Sequence, residues 1–221
     1  MKKGYSMKKL VLVIFLAGFC KVFAAFEFDI LGQLAASTGF PIAESRTTKV
    51  NGSTEARWGA SLQIGYQFTM TNTLKGVSIF ADIKVEQANI AITFPGDTKT
   101  VSKKTGLNLG LGFTSKFIFG SINSLVPRDT ILGFGVGAKV MAYAPDIILS
   151  TRMPILAPYL DLFVEQRFFV SRKLALVGGI NVGVDMMMFQ STDIGQLFNG
   201  IYITAFPSLN VGLSIGLHFG H

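Results

Sequence analysis

The chain has two histidines, His218 and His221, both within its last four residues. His218 lies on the polar side of the final strand-like segment, near Glu27 and Asp29 if that segment pairs with the first one. A histidine held by a carboxylate is half of a hydrolytic triad. No serine nucleophile is forced close to it, so a hydrogen bond where the chain ends meet is the simpler role. The single cysteine, Cys20, falls in an N-terminal leader. Cleavage behind it leaves no thiolate, disulfide or cysteine metal site. No HExxH, phosphate-binding loop or paired metal-ligand spacing occurs. Glu44, Glu55, Asp97 and Asp193 offer calcium only isolated loop carboxylates. The residues point to a protein that is not an enzyme and carries no metal or cofactor.

A second constellation is larger. Glu27, Asp29, Asp82, Glu86, Asp161, Glu165 and Asp185 share the polar side of their segments with Arg57, Lys84, Lys116, Lys139 and Arg167. Near balance predicts mutual pairing, because unpaired charge in a narrow, partly dry space is costly. The expected network is centred on Asp82, Lys84, Glu86, Lys139, Asp161, Glu165, Arg167 and Asp185. A selectivity filter would show one dominant sign.

The elements that must position these charges alternate with period two. In SLNVGLSIGLHFGH, the apolar Val211, Leu213, Ile215, Leu217 and Phe219 oppose Asn210, Gly212, Ser214, Gly216 and His218. Successive strand side chains point to opposite faces, so one face is greasy and the other thin and polar. The pattern recurs in FEFDILGQLA, WGASLQIGYQFT, the stretch from Val77, TGLNLGLGFTSKF, ILGFGVGAKVMAY, YLDLFVEQRFF and LALVGGINVGVDMMM, eight segments in all. A soluble can would put the large hydrophobes inside and charge outside. Here the second face is mostly glycine, which suits a narrow interior. The run from Leu174 to Phe189 resembles a membrane helix in hydropathy, but Gly178, Gly179 and Gly183 weaken a helix. No stretch reaches the roughly 20 apolar residues that a helical span needs. Eight alternating segments of about ten residues fit an antiparallel transmembrane β-barrel, greasy face to lipid.

Composition agrees. The chain is 49% hydrophobic and 15% charged, with 24 glycines and 20 phenylalanines. The formal net charge of +7 suggests a nucleic-acid partner until its distribution is read. Lys2, Lys3, Lys8, Lys9 and Lys21 lie in MKKGYSMKKLVLVIFLAGFCKVFA, where no acid occurs. A lysine-bearing start, an apolar stretch from Leu10 to Cys20 and Val22-Phe23-Ala24 read as a signal peptide over 1–24, with the barrel over 25–221. Leu16 to Cys20 also approximates a lipobox, with cleavage at Cys20 the alternative. An exported barrel implies the bacterial outer membrane, its lipid as a partner, and no nucleic acid. An even strand number then puts both termini on the periplasmic side. Phe26, Phe28, Tyr66, Phe68, Phe117, Phe168 and Phe219 would form an aromatic girdle there, with Trp58 at the opposite rim.

Asn210-x-Gly212-x-x-Ile215-x-Leu217 with Phe219 resembles the C-terminal assembly signal of outer-membrane barrels, which implies the barrel assembly machinery as a partner. Gly220 and His221 follow the aromatic, a departure from that pattern. Strand number and length together resemble the small barrels of the OmpW/OprG type, with the OmpX type second. The OmpW-like resemblance implies passage of small hydrophobic molecules. Alternatives are a surface adhesin that meets a host component and a purely structural envelope barrel. For the first reading, Met141, Tyr143, Met187, Tyr202 and Phe206 converge at the outer mouth beneath the apolar loop from Ile147 to Leu156 and would line a greasy pocket. Glycine and charge would fill the interior below. Lys99, Lys103 and Lys104, on an external loop between Asn89 and Lys104, could meet anionic headgroups or glycans.

Overall fold

The computed structural model describes residues 24–43, 51–52, 54–70, 74–93, 101–120, 128–143, 156–188 and 203–220. Eight long strands form the wall. They are β1 (Ala24–Gly39), β2 (Thr54–Thr69), β3 (Leu74–Thr93), β4 (Val101–Gly120), β5 (Arg128–Tyr143), β6 (Leu156–Ser171), β7 (Leu174–Met188) and β8 (Ile203–Phe219). Each pairs antiparallel with its chain neighbours, and β1 pairs with β8 from Phe28↔Phe219 to Gly39↔Ser208, which closes the barrel. Two short segments extend it, Ile42–Ala43 against β8 and Asn51–Gly52 against β3. Closure matters because lipid offers the backbone no hydrogen-bond partner. Among the described residues no helix is long and apolar enough to cross a membrane. The stretch from Leu174, ambiguous in hydropathy, is strand β7.

The period-two pattern becomes a two-faced wall. Ile215, Leu111 and Phe113 are 75%, 68% and 66% exposed on the outside, while Lys116, Arg167 and His218 on neighbouring inward positions are buried. The chain ends share one rim, here called the terminal rim; the opposite edge is the loop rim. Phe26 meets Tyr66 edge-on at 5.7 Å, and Phe28 meets Phe219 at 5.8 Å, so rings do gather at the terminal rim.

Three expectations need correction. The strands are 15 to 20 residues long, not about ten. The loop expected from Asn89 to Lys104 is partly wall, because β3 and β4 stay paired out to Thr93↔Val101. The apolar loop expected from Ile147 to Leu156 gives up its last residue to the wall, since β6 begins at Leu156. Alternation fades where a strand leaves the membrane, but backbone pairing continues there.

The lower interior is also not only glycine and charge: Leu31, Phe80, Ile118, Ile131 and Val177 are buried in it. Glycine makes the room for some of the larger side chains. A Cβ on Gly133 would collide with the ring of Phe163, and one on Gly112 with Tyr159. A bare position on one strand makes room for a ring from the next strand, as for Phe163, or from the one beyond it, as for Tyr159.

Candidate functional site: a tiered lumen

The inward positions stack in tiers. At the terminal rim, Asp29 on β1 gathers Lys116 Nζ from β4 at 2.7 Å, Arg167 Nη2 from β6 at 3.2 Å and His218 Nδ1 from β8 at 2.5 Å. Lys116 also reaches Glu165 at 2.9 Å, and Arg167 reaches Glu27 at 3.5 Å. Ser78 donates to Glu27 at 2.7 Å. The nearby serine hydroxyl is therefore bonded to a carboxylate and not to His218, whose side chain is fully buried. Charges this deep survive only when paired and hydrogen-bonded, and five strands meet here to do it.

One tier up, Thr114 donates to Asp82 and Lys84 pairs with Asp161. The Tyr159 ring lies 4.1 Å from the Lys84 ammonium and 4.9 Å from that of Lys139, so its π system meets two cations. Next, Lys139 pairs with Glu86 at 2.7 Å and Asp185 at 3.1 Å. Asp185 also accepts from Arg57 at 3.1 Å, from Asn210 at 3.2 Å and from Ser208.

Every member of the expected network, Asp82, Lys84, Glu86, Lys139, Asp161, Glu165, Arg167 and Asp185, lies inside the barrel, together with Glu27, Asp29, Arg57 and Lys116. Tyr159, Thr114 and Ser208 were not singled out from the sequence. Their inward parity, two residues from Asp161, Lys116 and Asn210 respectively, was the available signal.

Among the described residues, two polar cavities interrupt the packing. One, with about 30 Å³ of room for water, is bounded by Gln33, Arg57, Glu86, Lys139 and Asn181. The other, of about 20 Å³, is bounded by Gln63, Lys84, Thr114, Glu165 and Asn181. Each has room for one or two waters. Orphan acceptors on Gln63, Asn181 and Asn210 line them.

At the loop rim, Met141, Met187 and Phe206 are inward and buried, with Met187 registered against Phe206. Gly39 on β1 lies beneath the Phe206 ring. Tyr143 belongs to β5 beyond a bulge that pairs it with Leu107; its side chain, and all of Tyr202, fall outside the described residues. Most of the segment from Ile147 to Leu156, with Glu44, Asp97, Lys99, Asp193 and His221, is also outside them. In the C-terminal segment Asn210 and Gly212 face inward, whereas Ile215, Leu217 and Phe219 are exposed on the wall. Among the described residues no group of three or more His, Cys, Asp or Glu is arranged to hold a metal.

No protein-family profile and no curated protein sequence matches this chain. Solved structures do. The outer membrane protein OprG from Pseudomonas aeruginosa aligns over 90% of this chain and 97% of its own at 10% identity, with a TM-score of 0.45. The outer membrane protein AlkL, solved in lipid bilayers, aligns over 90% and 89% at 12% identity, TM-score 0.45. The attachment invasion locus protein Ail of Yersinia pestis, complexed with the heparin analogue sucrose octasulfate, aligns over 88% and 99% at 13% identity, TM-score 0.38. The architecture rests on this chain's own closed sheet, apolar wall and charged interior. The chain is a small eight-stranded antiparallel β-barrel with the apolar outer wall and polar interior of a transmembrane barrel.

Proposed function

We propose that the barrel binds small hydrophobic molecules at its loop rim and admits them to the outer membrane, acting neither as an enzyme nor as an open pore. The observation that carries this reading is the buried apolar tier of Met141, Met187 and Phe206 directly above the Asp185 cluster. A thioether chain and a ring on facing strands can re-pack around an apolar guest. The ion-paired tiers below oppose its descent, since a greasy molecule there would strip hydrogen bonds from buried charges. Tyr143 and Tyr202 complete the mouth in this reading. The resemblance to OmpW/OprG-type barrels favours it. The buried, committed His218 favours a role in closing the barrel over one in catalysis.

The same reading takes residues 1–24 as a cleaved leader and 25–221 as the mature barrel. Its termini are periplasmic, and the Asn210–Phe219 segment is recognised by the barrel assembly machinery. The test is Met187→Asp with Phe206→Asp. Binding or uptake of a small apolar fluorescent probe should be lost while heat-modifiable migration, the mark of a folded barrel, is kept. Unchanged probe binding in the folded double variant overturns the pocket and transfers function to the loops, as a host-surface contact or a structural role.

A further inference from the structure

The lipid-facing wall of β5, β6 and β7 carries a polar interruption near the terminal rim. Arg128 is exposed and points outward, on the face of Thr130 and Leu132, registered against the girdle residue Phe168. One tier deeper, Gln166 Nε2 donates to Thr130 Oγ1 at 2.9 Å across β5 and β6. The register continues to Gly178 on β7, where nothing lies within 4 Å of an added Cβ. Deeper still the wall is apolar, with Leu132, Val164 and Ile180 exposed. Arg128 has no acidic partner among the described residues, unlike Lys75 nearby, which is tied to Asp129 at 2.7 Å. The sequence that precedes it, residues 121–127, contains no acid.

A cation on a lipid-facing wall is costly unless it lies at headgroup depth with an anion to meet. The amide and hydroxyl one tier deeper satisfy each other only in part, because the Thr130 hydroxyl accepts from Gln166 and keeps its own proton to give. Alternate strand residues on one face are about 6.6 Å apart. From the rim inward the wall therefore offers a cation, then hydrogen-bond donors beside an empty notch, then hydrocarbon. A glycerophospholipid has the same order: phosphate, ester carbonyls, acyl chains.

We propose that this strip is a binding site for one anionic glycerophospholipid. Its phosphate pairs with Arg128, an ester carbonyl accepts from Thr130 or Gln166 above the Gly178 notch, and its chains lie along Leu132 and Val164. The charge complementarity selects an anionic lipid over a zwitterionic one. The site also assigns the terminal rim to a phospholipid leaflet.

The test uses the full chain in nanodiscs of phosphatidylcholine with a minor fraction of phosphatidylglycerol, which share the glycerol-ester core and differ in net charge. Native mass spectrometry after release should find phosphatidylglycerol retained several-fold above its share of the disc. Arg128→Gln should reduce that enrichment about fivefold, the effect of one basic residue at an anionic membrane surface. Gln166→Leu with Thr130→Val should reduce retention of both lipids, because it removes ester contacts that the two share. Inorganic phosphate added in excess should not displace the lipid; displacement would mean a free-anion site and overturn the proposal. Equal retention of both lipids by wild type, or unchanged enrichment in a heat-modifiable Arg128→Gln protein, would also overturn it.

Discussion

Lys116 and Lys75 show at the level of single residues how burial sets the worth of a charge. Lys116 is fully buried and holds Asp29 and Glu165; Lys75 pairs with Asp129 but keeps half of its side chain in solvent. Removing one member of a buried cluster strands the others, at a typical cost of about 3–5 kcal/mol. An exposed pair is worth about 0–1 kcal/mol, and Lys75–Asp129 lies between the two cases, because Asp129 is buried while its lysine reaches water. Lys116→Met should thus lower the urea midpoint of the refolded barrel markedly, and Lys75→Met should lower it less. Equal midpoints for the two variants would show that the terminal cluster contributes no stability. Much of this cluster was legible in the sequence: parity put His218, Glu27 and Asp29 on one side, and an even strand number brought the first and last strands together. Tyr159 was not. A tyrosine two residues before Asp161 is as readily a rim aromatic as a lumen residue, and only the closed barrel brings it against both Lys139 on β5 and Lys84 across the lumen on β3.

Strand elements depend on how glycines are distributed between the two faces. Gly133 faces the lumen and accommodates the Phe163 ring, so a Cβ there meets ring atoms and, at 2.9 Å, the Ser115 carbonyl. Gly32 faces lipid, and its added Cβ would find only the Ile215 carbonyl at an ordinary 3.7 Å. Both look alike in a list of small residues, but they are not equivalent. Gly133→Ala should destabilise the barrel by about 1–3 kcal/mol through overpacking, while Gly32→Ala should be neutral or mildly stabilising. Pairing Gly133→Ala with Phe163→Leu should recover part of the loss, the coupling expected of residues in contact. Additive losses in that double-mutant cycle would show that the glycine is not making room for the ring. Alternation told where lumen glycines lie but not which ring each receives, because that depends on inter-strand register. Strand ends were also hidden: β3 and β4 outrun their alternating stretch, and the bulge opposite Leu107 and Asn108 in β5 leaves no composition signal.

For the molecule as a whole the decisive feature is how its tiers fill the bore. Ion pairs span the lumen at three heights, and between them, among the described residues, lie polar cavities of about 30 and 20 Å³. An eight-stranded barrel is barely wide enough for its own side chains, so the wild-type chain should give no large, stable conductance steps in a planar bilayer. Two lysines whose ammonium groups both lie within 5 Å of the Tyr159 ring hold the middle of the plug. Lys139 bounds one cavity and Lys84 the other, and Asp161 borders both. Lys84→Ala with Lys139→Ala would remove the two ammonium groups and join the cavities. It would leave Glu86, Asp161 and Asp185 without these cationic partners. A narrow acid-lined passage attracts cations. The double variant should therefore show a small conductance whose reversal potential shifts, under a salt gradient, in the direction of cation selectivity. Either single variant should show less, because one tier of the plug stays in place. A folded double variant that stays silent, or one that passes anions, would mean that closure resides elsewhere, above the described tiers.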